Sequence, residues 1–298
     1  MKNINFYGIA LIFTSLAGHA QVTLNADGPG GVGTYELITN ALAPGTANAA
    51  VEAPDAIHPS FGRHITEVFD KDLNKFVFEF NLHVSNTPPD NEPVKGKTDR
   101  QRVEIKTFEA SPDNLKGTTG ETVQYNWRFK VPVGFKPTKN FTHIHQIKAV
   151  NGDESNPLFT LTLRKMPNGV NKLELIYVKD AASGTTKCQN PDMSLFEGIW
   201  VEATEIVKIG LQGTYAITIK KVSDGTVLMD YSNPNIQTIR MAYTSKNGTN
   251  YAANSFIRPK WGIYRSLKDI ADMKDETIRF SDISIQELTA VSGKKKGY

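Results

Sequence analysis

A lysine, a tyrosine and an arginine presented on one surface suit the removal of a carbon-bound proton next to a carboxylate, and this chain offers such a set. The stretch His143-Ile144-His145-Gln146-Ile147-Lys148 alternates as a β-strand. Thr142, Ile144, Gln146 and Lys148 fall on one face, and His143, His145 and Ile147 on the other. Arg102-Val103-Glu104-Ile105-Lys106 puts Arg102, Glu104 and Lys106 on one side and Val103 and Ile105 behind them. Arg258-Pro259-Lys260-Trp261-Gly262-Ile263-Tyr264 does the same with Arg258, Lys260 and Tyr264 against Trp261 and Ile263. As neighbours in one sheet, the three strands make a cationic floor carrying one lysine and one tyrosine.

Such a floor suits β-elimination at a uronic acid in a polysaccharide. The C5 proton becomes abstractable once the adjacent carboxylate is neutralised, because negative charge flows onto that carboxylate in the transition state. A base takes the proton and an acid protonates the departing O4. A lysine serves as base only when partly neutral, and burial near Arg102 and Lys260 lowers an amine in that direction. A tyrosine beside the leaving oxygen can supply a phenolic proton. Taken singly, each stretch reads as the solvated face of an antiparallel sheet, and Tyr264 as a packed aromatic with a wet hydroxyl. His143 and His145 read as hydrogen-bonded core histidines rather than metal ligands, since no carboxylate spacing around them matches a metal site. The functional reading gains weight because three separate stretches concentrate one sign of charge on one face.

The surrounding elements are strands. Phe76 to Leu82, Thr122 to Val131, Leu158 to Arg164, Lys172 to Val178, Tyr215 to Lys221, Val227 to Tyr231 and Thr277 to Leu288 alternate apolar with polar residues. Ser223-Asp224-Gly225 signals a hairpin between two of them. Gln21 to about Pro59 is irregular and reads as an opening strand followed by an exposed wrap, and the one helical piece falls around Leu267 to Lys274. The pattern predicts an all-β sandwich of two antiparallel sheets, in one domain over 21–290. Residues 1–20 read as a secretory signal, with Lys2, an apolar run from Phe6 to Leu16, and cleavage after Ala20. Secretion to the periplasm or the extracellular space follows, with no membrane span. Residues 291–298 read as a flexible tail or truncated linker. A formal charge of +3 over 298 residues does not point to nucleic acid. The single cysteine, Cys188, excludes an internal disulfide and carries no catalytic role, so a large core or a structural metal must supply stability.

The ordered trio resembles the signature strands of jelly-roll polysaccharide lyases. Family 7 alginate lyases carry an Arg-x-Glu-x-Arg strand, a Gln-Ile-His or Gln-Val-His strand and a Lys-x-Gly-x-Tyr strand. This chain has Arg102-Val103-Glu104-Ile105-Lys106, Gln146-Ile147-Lys148 and Lys260-Trp261-Gly262-Ile263-Tyr264 in the same order. Lys148 stands where those enzymes place the histidine base. A Lys–Tyr pair on this fold is similar to the family 28 ulvan lyases, and the Lys-Trp-Gly-Ile-Tyr motif to the family 20 glucuronan lyases. The resemblance implies a β-jelly roll with a concave, concanavalin-like substrate cleft, acting as a monomer on an anionic, sulfated polysaccharide, ulvan foremost. It implies Lys148 as base, Tyr264 as acid, Arg102 and Gln146 at the carboxylate, and Glu104 orienting Arg102. Lys106, Arg258 and Lys260 would bind neighbouring sugars. No cofactor is needed for catalysis. A structural calcium is expected from the family habit, with Asp27 and Asp282 as oxygen donors. Two rivals differ in class. A non-catalytic carbohydrate-binding jelly roll would rely on exposed aromatics, and Trp261 points away from the face. A glycoside hydrolase needs two carboxylates flanking the bond, and the face carries only Glu104.

Overall fold

The computed structural model describes residues 21–92 and 97–289; the leader over 1–20 and the tail over 291–298 lie outside these. Two eight-stranded antiparallel sheets dominate. The first contains β1 (Gln21–Leu24), β3 (Ile65–Asp70), β4 (Lys75–Leu82), β7 (Thr122–Lys130), β12 (Val201–Lys208), β13 (Gly213–Lys221), β14 (Val227–Ile236) and β18 (Glu276–Thr289). Its order is β14-β13-β12-β7-β18-β4-β3, with β1 paired to β18. The second contains β2 (Val51–Glu52), β5 (Asn91–Glu92), β6 (Lys97–Lys106), β8 (Thr142–Val150), β9 (Phe159–Lys165), β10 (Asn171–Tyr177), β11 (Thr186–Gln189) and β17 (Phe256–Ser266). Its order is β11-β10-β9-β8-β17-β6-β2, with β5 paired to β6. A small hairpin, β15 (Tyr243–Thr244) with β16 (Asn250–Tyr251), stands apart from both.

The core lies between the sheets because alternate residues of facing strands are apolar. Tyr125, Trp127 and Phe129 of β7 and Ile217 and Ile219 of β13 are buried, as are Val103, Ile105, Ile147, Trp261 and Ile263 from the other sheet. Trp127 and Trp261 meet edge to face at 6.1 Å, and Phe159 stacks on Tyr215 at 3.7 Å. One polar network crosses this core. His145 Nε2 meets Glu205 Oε2 at 2.8 Å, Tyr215 donates to Glu205 Oε1 at 2.7 Å, and Trp127 stacks on the imidazole at 4.2 Å. His145 is thus the inter-sheet histidine that its alternation predicts.

Helix placement differs from the sequence reading. The α-helix, α1 (Thr34–Leu42), forms within the segment read as irregular. Tyr35, Ile38, Thr39 and Leu42 are spaced to share one buried stripe, and Pro44 follows directly after the C-cap Ala43. The stretch around Leu267 to Lys274 yields only a 3₁₀ turn at Ile270–Asp272.

β17 is the central strand of the second sheet on the site side, and Gly262 lets it lie close to β6. Its φ is +142°, and a Cβ there would fall 2.1 Å from the Val103 carbonyl oxygen. Gly262→Ala is therefore expected to cost roughly 2–4 kcal/mol through strain and forced separation of the strands. A lowered urea midpoint at unchanged m-value checks it.

Candidate active site

The three sequence motifs are adjacent strands, in the order β6-β17-β8. Lys260 pairs with Lys106, Gly262 with Glu104 and Tyr264 with Arg102 across one ladder. Arg258 pairs with Lys148 and Lys260 with Gln146 across the other. Because side chains alternate, the registered partners share a face.

The floor has two levels. Underneath, Glu104 is fully buried, with Gln146 donating to its Oε1. Lys260 lies 3.2 Å from Glu104 Oε2, and Arg102 Nη1 3.4 Å from it. Lys260 is only 2% exposed. One assignment changes: Lys260 lies with Glu104 in the layer beneath the surface rather than at a subsite, because the buried carboxylate serves as counter-charge to it. The orientation of Arg102 by Glu104 is present in this geometry.

Sequence reasoning missed the second counter-charge. Glu52, on the two-residue strand β2, pairs across β6 with Glu104. It accepts from Arg102 at 2.9 Å and Lys106 at 2.6 Å, and also from Lys260. Burial alone would raise this carboxyl, but Lys260, Arg102 and Lys106 hold it well below the usual carboxylate range. Burial is also the main cause that lowers the Lys106 ammonium and the Arg258 guanidinium. Arg258 donates to the Thr107 carbonyl at 3.3 Å.

Lys148 differs from the other cations. Among the described residues, none makes a hydrogen bond or ion pair with its ammonium. Burial first, then the charges of Lys260, Arg102 and Arg258, lower it from 10.5 to about 8, against a smaller opposing pull from Glu154. At about 8 this amine has an appreciable neutral fraction near neutrality.

Tyr264 lies at the other end of the floor. Its hydroxyl accepts from Arg100 Nη1 at 2.9 Å, and the Arg102 guanidinium sits 3.9 Å from its ring centroid. Arg100, also missed from sequence, is held by Asp99, and both Asp99 and Tyr264 raise its pKa. His143 overturns an expectation. Strict alternation placed it opposite Lys148, but the register shifts between His143 and His145 against β9, and β17 shifts between Trp261 and Tyr264. The bulge turns His143 to the floor side, paired with Tyr264, with ring centroids 5.8 Å apart. Burial, together with Arg164, Arg102 and Lys148, lowers this imidazole to about 3, so it stays neutral. Tyr264 thus has His143 as its neighbour, and Lys148 lies roughly 15–20 Å away along the strands by residue count.

The expected calcium donors do not gather. Asp27 accepts from the Val32 amide at 2.9 Å, and Asp282 binds Arg128 at 2.9 Å together with Lys75. Among the described residues, neither belongs to a group of three metal-ligating side chains.

No protein-family model matches this sequence, and no curated protein matches it. Solved structures do. A substrate complex of the family 7 alginate lyase A1-II′ superposes with TM-score 0.52 at 13% identity, over 81% of this chain and 94% of that one. Another structure of A1-II′ gives 0.50 at 13% identity, over 80% and 93%. An endo-β-1,4-glucuronan lyase from the fungus Trichoderma reesei aligns at 0.47 and 14% identity, over 74% and 86%. Across nearly the whole length of A1-II′, and with sequences this divergent, what is shared is architecture: the chain has the two-sheet β-jelly-roll fold of a family 7 alginate lyase.

Proposed function

We propose that this chain is an exported polysaccharide lyase that cleaves a uronate-containing polymer by β-elimination. The observation that carries the reading is the registered alignment of β6, β17 and β8. It sets Arg102, Gln146, Lys148 and Tyr264 on one face whose cations, Arg100, Arg102, Lys106, Lys148, Arg258 and Lys260, outnumber the carboxylates Glu52 and Glu104. That surplus of positive charge suits a polyanion. The jelly-roll fold supports the same reading by analogy.

In this mechanism the uronate carboxylate meets the Arg102 end of the floor, which stabilises the charge developing on it. The resemblance makes Lys148 the base and Tyr264 the acid, but strand positions roughly 15–20 Å apart do not let the two reach C5–H and O4 of one sugar, so the Tyr264 phenolate takes the C5 proton and returns it to O4 as the C4–O4 bond breaks. The electron pair of the C5–H bond becomes the C4=C5 double bond. Arg100 donates to the Tyr264 hydroxyl and would hold that oxygen in place, while Lys148 neutralises charge further along the polymer. Ulvan ranks first as substrate because lysine replaces histidine at position 148 and the accessible floor is rich in cations. Glucuronan and alginate follow.

Incubation with ulvan, glucuronan, alginate and a heparin-like chain is expected to generate an ultraviolet-absorbing unsaturated uronate on one of them. Reducing ends without that chromophore would indicate hydrolysis. Binding without cleavage would leave a carbohydrate-binding module.

A further inference from the structure

Three of the chain's six histidines converge on one buried aspartate that takes no part in the floor. His58 Nδ1 lies 2.9 Å from Asp90 Oδ1, His83 Nδ1 2.7 Å from Asp90 Oδ2, and His64 Nε2 3.2 Å from Asp90 Oδ2. One ligating atom from each of the four residues lies within 4.8 Å of all the others. His64 and Asp90 are fully buried. His58 and His83 retain side-chain exposures of only 13% and 16%.

The ring geometry suits a shared centre. Tetrahedral coordination with metal–nitrogen distances of about 2.0–2.1 Å places imidazole centroids ~5 Å apart. The three centroid separations are 5.1, 5.5 and 5.6 Å. A ligand signature is present at His64 as well. Its Nδ1 faces Asp55 Oδ1 at 2.8 Å, and Asp55 also accepts from Tyr35 at 3.0 Å. That leaves Nε2 buried and aimed into the cluster, 3.2 Å from Asp90 Oδ2 but without a well-aligned hydrogen bond. An outer carboxylate on one ring nitrogen, with the other turned inward, is how metal-binding histidines are oriented. Phe61 closes the outer side, with centroids 4.2 Å from His83 and 4.8 Å from His64.

We propose that His58, His64, His83 and Asp90 bind a divalent transition-metal ion, zinc foremost, in a closed structural site. Three imidazoles and one carboxylate suit zinc and do not suit calcium, which takes oxygen ligands. The ligands come from the β2–β3 connection, the residue before β3, the residue after β4 and the residue before β5. One ion would therefore tie the wrap and the β3–β4 hairpin of the first sheet to the edge of the second. It would supply a covalent-like cross-link to a chain that has one cysteine. The site also abuts the floor, since Gln101, between Arg100 and Arg102, donates to the His83 carbonyl at 2.6 Å.

The test uses the full chain without a polyhistidine tag. After chelator treatment and dialysis, the folded protein is titrated with Co2+, then Zn2+, and its metal content is measured. About one equivalent of Co2+ is expected, with the intense visible absorption of a tetrahedral site, displaced by Zn2+. The zinc form should melt at higher temperature than the stripped form. A His58→Ala/His83→Ala variant should bind Co2+ at least 10-fold more weakly. If that variant does not fold, the wild-type titration decides alone. Failure of folded wild-type protein to take up a stoichiometric ion, preference for calcium over zinc, or equal Co2+ binding by the folded double variant would overturn the proposal.

Discussion

Tyr264→Phe is expected to lower kcat on the cleaved polymer by about 10²–10⁴-fold, the usual contribution of a positioned acid or base. The change removes one oxygen and leaves the ring against Arg102 and Phe141, where it packs at 3.9 and 5.1 Å. The half-buried strand position is preserved, so melting temperature should change little. What is lost is the hydroxyl that accepts from Arg100 and the only phenol among the residues assigned to the reaction. Because the interaction matters in the transition state, kcat and kcat/KM should fall together with KM nearly constant. Turnover within a few-fold of wild type would remove the mechanism described above, since it needs this proton.

Lys148→Met is expected to raise stability, and to weaken binding of the polymer more than turnover. The sign of the stability effect follows from the amine's environment. Its pKa falls from 10.5 to about 8 in the folded chain, so between those values the unfolded chain binds more protons. Stability therefore rises with pH across that window and is lowest below about pH 8, where the folded chain carries the full cost of an unpaired, half-buried charge. Removing the amine at pH 7 should gain roughly 1–3 kcal/mol, measurable as a higher urea midpoint. Lys148→Arg keeps the charge and cannot deprotonate in this range, so with both proton transfers on Tyr264 its turnover should stay near that of wild type. Loss of turnover in Lys148→Arg, with wild-type kcat/KM rising through about pH 8, would instead return the base role to Lys148. A methionine variant no more stable than wild type would contradict the account of Lys148 itself.

The floor was legible because β17 keeps unbroken register against β6, so Arg102, Glu104, Lys106, Arg258, Lys260 and Tyr264 could be placed by parity. The same parity pointed to Arg100, one step further along β6, and that signal went unused. His143 was misplaced because a bulge breaks alternation without any marking residue such as glycine on its own strand. The helix left an available trace in the spacing of Tyr35, Ile38, Thr39 and Leu42, masked by the Gly, Ala and Pro around it. β12 was overlooked since its inward positions, Val201, Ala203, Glu205 and Val207, include a charge, which makes sense only beside His145 and Tyr215. Glu52 and the His58, His64, His83 and Asp90 group carry no local pattern. Their partners lie on other elements, and only the folded topology makes them neighbours.

The ion pair between Glu52 and Lys260 joins residues 208 positions apart, which has a consequence for biosynthesis. Contacts of such long sequence separation form late, after most loop-closure entropy has been overcome. A nascent chain that has emerged only as far as β8 already contains Glu52, Arg102 and Lys148, yet lacks the strand that lies between β6 and β8. Until β17 inserts between β6 and β8, Glu52 lacks Lys260 and must stay hydrated. Insertion of that one strand completes the central pairing of the second sheet and brings Lys260 onto Glu52 in a single step. Reactivity would then switch on only once the chain is synthesised past Tyr264, and partial translation products would be silent rather than weakly active.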